Sequence, residues 1–282
     1  MDGLRRRGRL AHVSDGGYAL VSVRGAGCGV HPIEGERILT LVDSFDGTRM
    51  DIHVHTNPAS SDSMLKPDEL VATALANGLT AVSMTEHDFT LESHRQEEFR
   101  SGYPDLFINF GMEVSTDLGH MLAFGLPGYL PGIRRLEKLR EAADEHGAFI
   151  VVAHPFRRLF DPVTAMRTGE KFELTPQEAA EQMEVFKYVH AIEGANGANT
   201  PQENYFALEV ADILGISTTG GSDAHSTSGI GTFATAFEEQ IESPARLLEE
   251  LHAGKFQAVH KTKAGRWVRF VDGSIEAAEN ER

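Results

Sequence analysis

The stretch Asp51-Ile52-His53-Val54-His55-Thr56 carries two imidazoles two positions apart. Side chains of a β-strand alternate between faces, so a strand here sets His53 and His55 on one face and Val54 on the other. Two imidazoles on one face make half of a metal site. An isolated H-x-H pair says little. This chain continues with Asp62, Thr85-Glu86-His87-Asp88, Gly111-Met112-Glu113, Gly119-His120, Ala153-His154-Pro155 and Ser222-Asp223-Ala224-His225. Histidine and carboxylate without cysteine is the donor chemistry of a divalent cation site, not of a cysteine-type zinc finger.

Regular elements must bring these groups together. The patterning predicts strands over 50–55, 80–85, 106–114, 120–126, 149–153, 189–193, 216–220 and 256–260, and helices over 67–77, 91–99, 133–146, 176–187, 201–214 and 244–252. Pro67 suits a first helical turn, and Gly78 and Gly147 suit C-terminal caps. Thr200-Pro201-Gln202-Glu203 reads as a capping box with Pro at the first position. Strands alternating with helices imply parallel βαβ units. The chemical residues recur at strand ends, and the C-terminal strand ends of a β/α barrel build its active site. One barrel of about seven strands would gather them on one rim.

A chain of 282 residues with 41% hydrophobic residues can bury one large core. It has no apolar run long enough to span a membrane and no apolar block behind its Arg-rich start, so neither a membrane span nor a signal peptide is expected. Cys28 is the single cysteine, so no intramolecular disulfide can form, and a cytoplasmic location is expected. A net charge of −16 disfavours nucleic-acid backbones as general partners. It does not exclude a small phosphorylated substrate, because bound cations reverse the sign locally. Residues 1–49 stand apart, with seven Arg, no Lys and nine of the 28 Gly. They are expected to form a weakly packed extension, with a basic arm or a start at Met50 as alternatives. Residues 50–265 would form the barrel and 266–282 a tail.

In combination, the motifs H-x-H, S-D, T-E-H-D, G-x-E, G-H, A-H-P and S-D-A-H resemble those of the PHP (polymerase and histidinol phosphatase) family of metal-dependent phosphoesterases. The resemblance covers about Met50 to Phe237. It implies a distorted (β/α)7 barrel with a cluster of three Mn, Fe, Zn or Mg ions at its mouth. Carried over by position, His53, His55, Glu113 and Asp223 would hold the first ion. Glu113 would bridge to a second, which also takes His120 and His154. Asp62, His87 and His225 would hold the third. Asp62 is followed by Ser63, where many members of the family have glycine.

The implied reaction is hydrolysis of the phosphate ester of a small metabolite or nucleotide, and also of short oligonucleotide ends, by metal-activated hydroxide. Glu113, Asp223, His225 and Arg157 would carry it. Arg157 or Arg158, with Arg157 preferred, could grip the phosphate bidentately, against the alternative of a surface ion pair. His225 or a water on the third ion would protonate the leaving group. Histidinol-phosphate phosphatase and a non-catalytic metal-binding module are the competing readings. Glu193 and Asn196 are placed to orient a ligand or substrate, with turn formation the alternative for Asn196. Asp88 is expected either to orient a ligand or to cap the following helix. His94, His146, His190, His252 and His260 are expected to be structural.

Overall fold

The computed structural model describes residues 11–12, 18–19, 47–169 and 171–271. The expected extension over 1–49 therefore lies almost wholly outside the described residues. Two short strands, β1 (Ala11–His12) and β2 (Tyr18–Ala19), pair antiparallel. The remaining strands are β3 (Thr48–Val54), β4 (Ala81–Met84), β5 (Phe107–Phe110), β6 (Met112–Thr116), β7 (Gly119–Phe124), β8 (Phe149–Val152), β9 (Ala191–Asn196), β10 (Thr218–Gly221), β11 (Phe233–Phe237), β12 (Phe256–Lys261) and β13 (Trp267–Arg269). The helices are α1 (Pro67–Ala76), α2 (Ser93–Ser101), α3 (Leu136–His146), α4 (Pro162–Thr168), α5 (Pro176–Gln182), α6 (Pro201–Leu214) and α7 (Pro244–His252).

The fold is mixed α/β. A six-stranded sheet runs β13-β12-β11-β3-β4-β5 and a five-stranded sheet runs β10-β9-β8-β7-β6. The predicted parallel units hold for β3-β4-β5 and β8-β9-β10. They fail for β6-β7-β8 and β3-β11-β12-β13, which are antiparallel. The two-residue turn at Asp117-Leu118 is too short for a crossover, so β6 and β7 can only form a hairpin.

The single strand expected over 106–114 is two strands in two sheets. Gly111 separates them, and a Cβ at that position would lie 2.8 Å from a ring carbon of Phe124. The helix expected over 176–187 also divides, into α5 and a 3₁₀ turn over Glu184–Lys187. Strands β11 and β13 were not anticipated. β13 lies beyond the expected boundary at 265, and Phe270 after it is buried, so the packed unit extends further. It also begins earlier. Thr48 is buried, and its hydroxyl oxygen accepts from the Ile241 amide at 2.7 Å.

The expected caps are present. Gly147 closes α3 in the left-handed region at φ 65°, which costs glycine little. At the start of α6, Thr200 and Glu203 exchange side-chain-to-backbone hydrogen bonds. Buried apolar groups of both sheets meet in one cluster, with Met50 and Ile52 against Leu122, Phe124 and Val151. Helices α3, α5 and α6 cover the outer face of the five-stranded sheet, and α1 packs on the six-stranded sheet. Each fully buried large apolar side chain contributes roughly 1.5–3 kcal/mol. Among the described residues no helix is long and apolar enough to cross a membrane.

Candidate metal centre

The two sheets meet where the chemical residues lie. The Asp223 amide donates to the His53 carbonyl at 2.8 Å, and the His55 amide donates to the Ala224 carbonyl at 3.1 Å. The Glu113 amide donates to the Glu86 carbonyl at 3.0 Å. These bonds lock the start of β6 and the turns after β3, β4 and β10 against one another. Gly221 makes the approach possible, because a Cβ there would lie 2.6 Å from that of His53. His154 and Asp223 take left-handed backbone conformations at φ 30° and 53°, sparsely populated for residues with a Cβ and frequent at functional sites.

All nine residues expected to hold metal converge. His53 and His55 share a face as the alternation requires, and their Nε2 atoms are 3.1 Å apart. Glu113 sits at the centre. Its Oε1 lies 2.8 Å from His120 Nδ1 and 3.0 Å from His154 Nε2. Its Oε2 lies 2.9 Å from His87 Nδ1, 3.2 Å from His55 Nε2 and 3.5 Å from His53 Nε2. Asp223 Oδ1 lies 3.3 Å from His55 Nε2 and 3.5 Å from His53 Nε2. Asp62 stands at the outer edge, 3.2 Å from His87 Nε2 and 3.3 Å from His225 Nε2. A cavity of about 420 Å³ opens over the cluster, and Arg157, Arg158 and Leu118 help to line it.

This donor set fits cations. Glu113 Oε2 is buried and has no hydrogen-bond partner, although three imidazole nitrogens crowd it. Facing nitrogens and a lone carboxylate oxygen in a buried space repel unless a positive charge lies among them. Ligand atoms within 4.8 Å of one another form four groups: His53-His55-Glu113, His53-His154-Asp223, Glu113-His120-His154 and His55-His87-His225.

Hydrogen bonds outside the cluster aim these donors. His53 Nδ1 lies 2.9 Å from Glu193 Oε1, and that contact leaves Nε2 as the lone pair facing the cluster. Glu193 Oε2 also accepts from the His154 amide and from Asn196 Nδ2, both at 2.9 Å. Glu193 thus holds the His53 ring, and Asn196 steadies Glu193 while its Oδ1 accepts from the Ala198 amide at 2.8 Å in the turn that follows β9. His225 Nδ1 lies 3.0 Å from the Asp223 carbonyl, which likewise frees its Nε2.

Two bracing carboxylates were missed in the sequence. Buried Glu86 accepts from the Thr56 amide and hydroxyl and from the Ser60 hydroxyl, and Ser60 Oγ lies 3.3 Å from His55 Nδ1. Buried Asp51 accepts from the Ser222 amide at 2.8 Å, tying the Ser222-Asp223 turn to β3. Both lie inside the quoted motifs, and their adjacency to ligands was the available signal. Asp88 fits neither expectation. Its carboxylate takes the Ser115 amide and Arg134, and so braces β6, while α2 begins further on at Ser93.

Electrostatics match the geometry. Burial alone would depress the His53 imidazole, but Glu193, Asp223 and Glu113 hold its pKa well above the ordinary value. Burial works against ionised Glu113, yet His53, His120 and His154 hold it well below the carboxylate range. Asp223 is likewise held low against burial, by His53, His55 and His154. Arg157 Nη1 donates to Asp223 Oδ2 at 2.7 Å. Arg158 makes no ion pair among the described residues, and its amide donates to buried Glu203.

The sequence matches the family model described as PHP domain over residues 51–225, and one described as PHP-associated over 201–256. Among solved structures the fold is similar to PsfC from Pseudomonas syringae PB-5123. That match has a TM-score of 0.53 and 20% identity, covering 77% of this chain and 93% of that one. It is also similar to a two-domain protein from Bacteroides vulgatus ATCC 8482, described as containing a predicted PHP-like metal-dependent phosphoesterase. There the TM-score is 0.50 at 19% identity, covering 78% of this chain and 67% of that one. No curated protein matches the sequence. With more than half of its length in the PHP domain match, and the motif residues of that match drawn into one centre, the chain belongs to the PHP domain family.

Proposed function

We propose that the protein is a metal-dependent phosphoesterase that hydrolyses the phosphate ester of a small metabolite or nucleotide, short oligonucleotide ends included. The observation that carries this reading is Glu113, a buried carboxylate ringed by five imidazoles with one oxygen unpartnered by any hydrogen bond. Such a donor set is built for divalent cations, and a cation cluster beneath an open cavity draws phosphate although the chain carries −16.

His53, His55, Glu113 and Asp223 would hold the first ion, Glu113 with His120 and His154 the second, and Asp62, His87 and His225 the third. Mn, Zn, Fe or Mg at these positions would supply Lewis acidity and a water acidified enough to attack phosphorus near neutral pH. The chain's own groups do the rest. Glu113 joins two sites with one side chain, so both depend on it. Glu193 fixes the His53 tautomer. Arg157 places a planar cation at the cluster's edge, suited to two phosphoryl oxygens. His225, with Nδ1 engaged by the Asp223 carbonyl and Nε2 beside Asp62, would be committed to the third ion, so the proton for the departing oxygen would come from water at this half-exposed edge.

The architecture is read as a distorted (β/α)7 barrel, in which the two sheets are edges of one strand ring. Isolated bridges between Val54 and Ala224 and between His87 and Glu113 support this. A cytoplasmic location is kept on the single cysteine. The test is hydrolysis by the purified protein supplied with Mn²⁺, offering nucleoside monophosphates, 3′,5′-bisphosphates and histidinol phosphate, with bound metal measured alongside. Release of phosphate that chelation abolishes and Mn²⁺ restores supports the reading. A fully metal-loaded protein that hydrolyses none of them contradicts it.

A further inference from the structure

The cavity of about 420 Å³ over the ligand cluster has two kinds of wall. Every polar side chain in its lining belongs to the cluster or is Arg157 or Arg158. The rest of the lining is apolar and includes Leu118, Val152, Pro155, Met183 and Val185. This apolar wall flanks one end of the cluster. Leu118 lies two residues before His120, and Val152 and Pro155 bracket His154; these are the two imidazoles on Glu113 Oε1. Asp62 and His225 stand together at the polar edge.

Hydrogen bonds fix both segments that supply the wall. Leu118 sits on the turn between β6 and β7 and is 39% exposed. Its amide donates to the Thr116 hydroxyl at 3.2 Å, and the Asp117 amide donates to the Arg134 carbonyl at 2.8 Å. The Asp117 carboxylate accepts from the Leu136 amide at 2.9 Å. Met183 follows α5, where its amide donates to the Ala179 carbonyl at 3.0 Å, and it packs against the core that holds Val185 and Phe156. A phosphate ester seated on the cluster must place its organic part in the space that remains. The hydroxyls of a polyol would lose water there and find no side-chain partner on this wall. A ring buries only apolar surface. A thioether sulfur also attracts a ring edge. Arg158 lines the same cavity without an ion pair among the described residues, and a guanidinium stacks on aromatic faces.

We propose that the organic part of the substrate carries an aromatic ring held against Leu118 and Met183, and that these two side chains select against polyhydroxylated esters. The substrate assignment rests on the phosphoesterase reading above; the affinity of the wall for a ring rests on the cavity alone.

The test uses the whole chain supplied with Mn²⁺ and a set of phosphonates, whose C–P bond is not hydrolysed, with affinities from calorimetry. Benzylphosphonate binds at least about ten-fold tighter than methylphosphonate. Cyclohexylmethylphosphonate, as large but not aromatic, binds about three-fold more weakly than benzylphosphonate. Leu118→Gln and Met183→Gln each lower the benzyl-to-methyl ratio about three-fold, with melting curves and bound metal showing that each is folded. Leu118 lies on an exposed turn, so its variant gives the answer even where Met183→Gln fails to fold. Hydrolysis is compared for 2-phenylethyl phosphate and glycerol 1-phosphate, both esters of primary alcohols, and kcat/KM is at least about ten-fold higher for the first. Equal affinity for benzylphosphonate and methylphosphonate, or a ratio unchanged in Leu118→Gln, overturns the role of the wall. Cyclohexylmethylphosphonate bound as tightly as benzylphosphonate overturns the aromatic assignment. The phosphonate preference in a protein that hydrolyses neither ester supports the wall and contradicts only the phosphoesterase reading. Hydrolysis of both esters at equal kcat/KM keeps that reading and overturns this inference.

Discussion

His53 Nδ1 and Glu193 Oε1 lie 2.9 Å apart with both side chains fully buried. The pair fixes which imidazole nitrogen keeps its lone pair for the cluster. Glu193→Gln keeps the size but can present an amide N–H to the ring, reversing that choice. Metal affinity should fall roughly 10–100-fold, the usual effect of losing such a partner. Calorimetric titration with Mn²⁺, with melting curves to confirm folding, checks this. Unchanged affinity would make the contact structural only.

Arg157 and Arg158 are neighbours with different surroundings. Arg157 is paired with Asp223, and Arg158 has no ion-pair partner among the described residues. Arg157→Ala should lower kcat/KM by about 2–4 kcal/mol equivalent, mainly through KM if the guanidinium holds ground-state phosphate. The measurement is steady-state kinetics at saturating metal. Unaltered KM and kcat would return Arg157 to a charge-balancing role beside Asp223.

How much of this was legible in the sequence depends on what each residue does. The residues of the cluster were legible because their types are unusual in a core, and strand alternation alone set His53 and His55 on one face. Glu86 and Asp51 were passed over because a carboxylate that braces backbone amides looks like any other acid until the amides are located. The break at Gly111 was hidden, because Leu106 to Val114 reads as one strand-forming stretch with Asn109 and Glu113 as its polar positions, and only the Phe124 ring across the sheets requires a glycine. Strand β11 is short, and its partners β3 and β12 are distant in sequence, so its pairing follows from tertiary contacts and not from local pattern. The turn at Asp117-Leu118-Gly119 that joins β6 to β7 was legible, whereas β7 and β8 were misjudged, because they pair antiparallel although helix α3 lies between them.

His260, expected to be structural, is buried beside Phe233 and Phe270, and burial pushes its pKa down to about 4. The folded value lies below the unfolded value of about 6.5. The unfolded chain therefore takes up the proton first, and stability falls as pH drops from about 6.5 to 4. Between pH 7 and 5 this residue should contribute a loss of about 2 kcal/mol. His260→Phe should flatten the dependence by that amount in urea melts at the two pH values. An unaltered difference would show that His260 is already protonated in the fold.

We propose that residues before Gly47 are dispensable and that Thr48 and Arg49 are not. Thr48 pairs with β11, and the Arg49 side chain donates to the Gly78 carbonyl at 3.0 Å. A chain begun at Gly47 should keep the full-length melting temperature and metal content. One begun at Met50 loses the Thr48 contact to Ile241 and should melt several degrees lower. Loss of metal binding by the chain begun at Gly47 would place the preceding residues in the site.

The central claim is that Glu113 serves two metal positions and that hydrolysis depends on both. The most direct measurement is kcat for a phosphoester together with bound metal per chain, for the wild type and for Glu113→Gln at saturating Mn²⁺. Glu113→Gln removes the buried charge at nearly constant size. The account predicts loss of part of the bound metal and a fall in kcat of several orders of magnitude. Wild-type kcat at wild-type metal occupancy in Glu113→Gln would contradict it.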